Sequence, residues 1–164
     1  MNTRVLPRNG RAAGIASLVA LTAIALTGCA AAVPMTPAED ANDPNCASVI
    51  VRLPDLVAEQ AKRETNAQAT GAWGTPASVL LTCGVTVPGP TTLPCVEVNG
   101  IDWIEDDADA PLYRYTTYGR TPAVEVAIDS GAVSGTTVLV DLGAAVSYLP
   151  QTGKCTDLSD VFTN

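Results

Sequence analysis

Val96-Glu97-Val98-Asn99-Gly100-Ile101-Asp102-Trp103 is where this chain first shows its architecture. Apolar and polar residues alternate on both sides of an Asn-Gly pair. A two-residue hairpin loop needs positive φ at both central positions, and Asn and Gly are the residues that reach it at least cost. The spacing predicts a β-hairpin; its alternative is one longer strand with a bulge at Gly100. On the C-terminal side, residues 112–118 (LYRYTTY) are aromatic and Thr-rich, as strands are. Val124, Val126 and Ile128 then alternate with Ala123, Glu125, Ala127 and Asp129. On the N-terminal side, residues 79–83 (VLLTC) form a short apolar run suited to a buried strand. Val138-Leu139-Val140 reads as a last strand.

Helical patterns flank these strands. Asp43-Pro44 offers a cap followed by Pro at the first helical position, and Cys46, Val49, Ile50 and Leu53 share a helical face. Pro54 ends that helix. Residues 56–63 (LVAEQAKR) read as another helical turn or two, and Leu142, Ala145, Val146 and Leu149 return to helical spacing. The expectation is an α+β fold: a small antiparallel sheet of four to six strands, short helices near both ends of the domain, and disulfide bonds. The remaining segments are punctuation: a Pro- and Gly-rich loop at 84–94, an acidic loop at 105–110 (EDDADA), and a turn at 119–122.

The first residues carry Arg4, Arg8 and Arg11 without an acidic residue, followed by an apolar run at 12–26. That run is shorter than the ~20 residues a membrane-spanning helix needs, which is the pattern of a secretory signal. Leu26-Thr27-Gly28-Cys29 looks like a bacterial lipobox. The Cys29 thiol is the one group there that can form a thioether to diacylglycerol, and the small residues before it admit a peptidase to the extended backbone. Ordinary secretion with cleavage after Ala32 is the weaker reading. The expected organisation is a cleaved signal at 1–28, a lipid-anchored flexible tether at 29–42, and one globular envelope domain at 43–164, on the outer face of the cell membrane.

After removal of the three signal arginines, six basic residues face seventeen acidic ones, a net charge of −11. Such a charge opposes nucleic acid and anionic headgroups, so membrane attachment rests on the lipid at Cys29. Apart from Cys29, four cysteines remain in an exported chain: Cys46, Cys83, Cys95 and Cys155. They are expected to form disulfides. Of the three pairings, Cys83–Cys95 with Cys46–Cys155 is favoured, since the first closes a short loop and the second joins the ends of the domain.

With those landmarks placed, the chain resembles an uncharacterised actinobacterial family of secreted proteins and lipoproteins, a domain of unknown function. The matching pieces are Arg52-Leu53-Pro54, Ala72-Trp73-Gly74, residues 81–85 with Pro88 after them, Asn99-Gly100-Ile101-Asp102-Trp103, and Tyr118-Gly119-Arg120. Together they cover most of 46–155. The resemblance implies a cell-envelope location in a high-GC Gram-positive bacterium and brings no catalytic residues.

Candidate chemistry is sparse. The chain has no His, which excludes Ser-His-Asp and Cys-His nucleophile systems. Lys62 and Lys154 are the only lysines, and neither lies in a recognisable Ser-Lys motif. Carboxylate-only hydrolysis is what composition leaves open, so the protein is not expected to be an enzyme. Glu105, Asp106, Asp107 and Asp109 lack calcium-loop spacing and read as a solvated loop. No metal or cofactor is expected. Trp73 and Trp103 could stack on a ligand, though core packing is the commoner fate of such residues. Arg114 and Arg120, set in a Tyr-rich segment, could hold an acidic ligand or be ordinary strand and turn charges. The partner is expected to be an envelope protein, or else a small ligand such as a glycan, peptide or lipid.

Overall fold

The computed structural model describes residues 31–155. Eight strands form one antiparallel sheet with two short helices, so the fold is mostly β and not the expected α+β fold with a sheet of four to six strands; residues 56–57, 60–63 and 70–73, which carry no alternation, pair onto its edge as three further strands. In chain order the elements are α1 (Pro44–Ile50), β1 (Leu56–Val57), β2 (Gln60–Arg63), β3 (Thr70–Trp73), β4 (Val79–Val85), β5 (Cys95–Val98), β6 (Ile101–Asp106), β7 (Leu112–Thr117), β8 (Ala123–Asp129) and α2 (Gly135–Val146). The sheet runs β1-β2-β3-β4-β8-β7-β6-β5. The last strand therefore enters the middle, between β4 and β7.

The Asn-Gly hairpin forms as its residues dictate. Val98 lies opposite Ile101 and Val96 opposite Trp103, with Asn99 and Gly100 both at positive φ. Two departures from expectation have causes that lie in distant parts of the chain. The 56–63 segment is a hairpin, β1 to β2, and not helix; its turn puts Ala58 and Glu59 at φ 45° and 63°. Non-glycine residues reach that region at a cost of roughly 1–2 kcal/mol each. Here Asp141 of α2 holds the turn by accepting the Ala58 N–H at 2.7 Å. Replacing Ala58-Glu59 by Asn-Gly is accordingly expected to raise stability by about 1 kcal/mol, read as a higher denaturant midpoint at unchanged slope.

Val138-Leu139-Val140 lies inside α2 and is not a strand. Ser134 caps that helix by accepting the Thr137 N–H, and Val138, Leu139, Leu142, Ala145 and Val146 are its buried residues. Burial along a helical stripe overrides the β-propensity of a Val-rich run. At the other end, Asp43 accepts the Asn45 N–H and Pro44 opens α1, as expected.

Both helices pack against one face of the sheet. There Val79, Leu81 and Cys83 of β4 lie opposite Ile128, Val126 and Val124 of β8. Trp73, Trp103 and Ile101 join them, and α2 closes over the layer. Cys46 of α1 is bonded to Cys83, which pins the first helix to the central strand. The second bridge joins Cys95 to Cys155. The favoured pairing was therefore incorrect, and strand order gives the reason. Cys83 and Cys95 are close in sequence, but β8, β7 and β6 separate their strands. Four strand intervals amount to about 19 Å, whereas bridged Cα atoms lie within about 7 Å.

The N-terminal segment is also more ordered than a tether. Val33 N–H donates to Glu64 O at 2.8 Å, and Asp40 N–H donates to Gly84 O at 3.1 Å. From Val33 on the chain is held to the domain, so the tether expected over 29–42 does not extend through it. The lipobox at Cys29 lies outside the described residues. No helix among the described residues is long and apolar enough to cross a membrane.

Candidate functional site

The topology that separates β4 from β5 also creates a cleft. The connection 86–94 must cross the sheet, and it does so over the face opposite the helices. Pro88 and Pro90 fix φ and donate no N–H, which suits a segment with no strand beside it. Residues 87–92 take no main-chain hydrogen-bond partner among the described residues.

Beneath this strap lies a cleft of about 310 Å³, roofed by Pro88, Pro90 and Leu93 and floored by Ile104, Thr116 and Arg114. A second cavity, about 320 Å³, shares Pro90, Leu93 and Ile104 and reaches Tyr118 and Cys155. The floor follows from register. Asp106 lies opposite Arg114 and Ile104 opposite Thr116. Thr116 in turn lies opposite Glu125. Positions 114, 116 and 118 face the same side because strand side chains alternate with period two.

Arg114 is the one sequence-selected binding candidate that the structure places in the cleft. Its Nη1 donates to Glu125 Oε1 at 3.2 Å, and its Nε sits 3.8 Å from Asp109 Oδ2. Arg114 is 39 % exposed and Glu125 30 %, so the pair contributes at most about 1 kcal/mol. With Asp106 nearby, three carboxylates surround one guanidinium, and the end of the cleft is acidic. An acidic ligand for Arg114 therefore meets repulsion. Asp106, Thr116 and Glu125 were not singled out from sequence; only strand pairing brings them together.

The other candidates are structural. Trp73 and Trp103 are fully buried. Trp73 Nε1 donates to Pro54 O at 3.0 Å, while Trp103 Nε1 has no hydrogen-bond partner among the described residues. Neither lines the cleft. Arg120 is buried and donates to Leu149 O at 2.7 Å and Gly100 O at 3.4 Å, so it ties the end of α2 to the β5–β6 turn. Desolvation lowers its pKa, partly offset by the Asp102 carboxylate. Gly119 beside it sits at φ +62°, and the Gly153 backbone lies against it where any side chain would stand. Cys95, Asp102 and Cys155 bring three potential metal-ligand atoms together. The two sulfurs are bonded to each other, so neither offers a thiolate.

Tyr115 on the helix side of β7 carries a pKa pushed up to about 12 by burial first, then by the charge and hydrogen bond of Glu105, with a smaller push from Tyr113. The folded state holds this proton longer than the unfolded chain, whose tyrosine ionises near pH 10. The stabilisation is complete below pH 10 and is lost as pH rises from 10 through 12. Tyr115→Phe is expected to flatten stability across that window, and the tyrosine absorbance titration should lose the component that ionises near 12.

Fold and cleft together define a disulfide-bonded antiparallel β-sheet domain with helices on one face and a roofed groove on the other. The chain belongs to the family described as Protein of unknown function (DUF3515), whose model matches residues 12–154. No curated protein and no solved structure matches the chain.

Proposed function

We propose that this is an exported lipoprotein, anchored through Cys29 on the outer face of the cell membrane, whose domain serves the envelope by binding a protein partner and not by catalysis. The observation that supports the reading is the roofed groove, with a charged end and an apolar middle, in a chain without His. Two disulfides fit an oxidising compartment outside the cytoplasm. The lipobox and the net charge of the mature chain support attachment by lipid alone. A carboxylate-dependent hydrolase is the less favoured alternative, because the acidic residues of the groove share its floor and the roof offers no opposing carboxyl group.

In-cell cross-linking of the lipidated protein, with Cys29→Ser as control, tests this. One dominant protein partner, lost in the control, is the expected result. A Cys29→Ser form that keeps full function in cells would overturn the anchored reading. A groove filled by a co-purifying small molecule, with no protein partner, would favour the second reading, a module for a small envelope ligand.

A further inference from the structure

The groove has a direction and a charge, and these restrict what it can hold. It runs along β7, from Arg114 past Thr116 to Tyr118, a span of about 14 Å and room for roughly four extended residues. Both tryptophans are buried elsewhere, and Tyr118 at the far end is the aromatic ring among the residues lining the groove, so the charged end is what most restricts the ligand. An acyl chain would have to pass the charged end. The strap leaves the N–H and C=O groups of 87–92 without main-chain partners, and Thr116 adds a hydroxyl to the floor. Those are the groups that an extended backbone pairs with.

We propose that this groove takes an extended, positively charged peptide segment of a protein partner. A lysine or arginine side chain sits at the Asp106–Glu125 end, and the next apolar residue rests on Ile104 and Leu93. Charge complementarity sets the sign. Asp106 and Glu125 line that end against the single Arg114, with Asp109 outside the lining but 3.8 Å from the guanidinium, and a mature chain at net −11 attracts cationic segments over longer range. Arg114 positions the carboxylates and prevents the cluster from repelling itself. The proposal rests on the binding reading above and names the chemistry of the partner.

The test is titration of the mature protein in detergent micelles with two probes, acetyl-Ala-Lys-Leu-Ala-amide and acetyl-Ala-Glu-Leu-Ala-amide. Amide chemical shifts would be followed at Thr91, Leu93 and Thr116. The Lys probe is expected to bind at least tenfold more tightly, to shift those amides, and to weaken as salt is raised. Asp106→Asn with Glu125→Gln should lose that preference while retaining the unfolding midpoint within a few degrees. Thr116→Trp, which fills the floor without touching the charges, should block both probes. Equal binding of the two probes, or Lys-probe shifts confined to the helix side, would overturn the proposal. Failure here with a cross-linked partner mapped to the α1–α2 face would leave the binding reading standing; failure with no partner at all would remove both.

Discussion

Replacing Cys46 and Cys83 together by alanine is expected to lower the unfolding free energy by about 5 kcal/mol, more than the same change at Cys95 and Cys155. Loop entropy alone gives the opposite order. The bridges close sequence separations of 37 and 60 residues, and the chain-entropy model assigns about 4 kcal/mol to each, with the longer loop ahead by only about 0.4 kcal/mol. Burial reverses that small difference. Cys46 and Cys83 have no exposed surface and lie inside the core cluster. Deleting two buried sulfur atoms leaves a void, and each lost group of methyl size costs roughly 1 kcal/mol in a packed interior. Cys95 is exposed and leaves no such void. Denaturant titration of the two double-alanine proteins checks this order. If removal of Cys95–Cys155 proves the more damaging, the core around α1 is looser than its burial implies.

The same contrast shows how much the sequence disclosed. Elements whose signal is local were legible: the Asn99-Gly100 hairpin, the alternation of β8, and the capped start of α1 at Asp43-Pro44. Elements that depend on distant partners were not. The β1–β2 turn uses Ala58 and Glu59, poor turn residues that Asp141 holds from another element 83 residues away. β3 is buried at every position, so it shows no alternation to read. The Thr- and Val-rich start of α2 has strand-like composition, and only the stripe from Val138 to Val146 reveals a helix. Arg114 could be singled out by its charge in a Tyr-rich strand. The groove around it could not, because it exists only where the 86–94 connection crosses a sheet whose strand order is set by the insertion of β8. The disulfide pairing escaped for the same reason.

Arg120→Leu is expected to destabilise the fold by about 2–4 kcal/mol, because three carbonyls lose one buried, charged donor. Three losses combine. Arg120 donates to Leu149 O and, more weakly, to Ser147 O, so it satisfies carbonyls at the end of α2 that the helix itself cannot. It also reaches Gly100 O in the β5–β6 turn. Finally, Asp102, nine-tenths buried, loses the positive charge that now lies near it. Arg120→Lys should recover only part of the loss, since an ammonium cannot span three carbonyls with a planar fork. Asp102 has a second duty: its Oδ2 accepts the Cys155 N–H at 3.0 Å and helps to seat the C-terminal segment next to the groove. The double change Arg120→Leu with Asp102→Asn should therefore cost less than the sum of the single changes, by about 1–3 kcal/mol of coupling. Equilibrium unfolding of the four proteins measures that coupling. Strict additivity would mean that Arg120 acts through its carbonyl partners alone, and that the nearby Asp102 contributes independently to how the sheet holds its C-terminal segment.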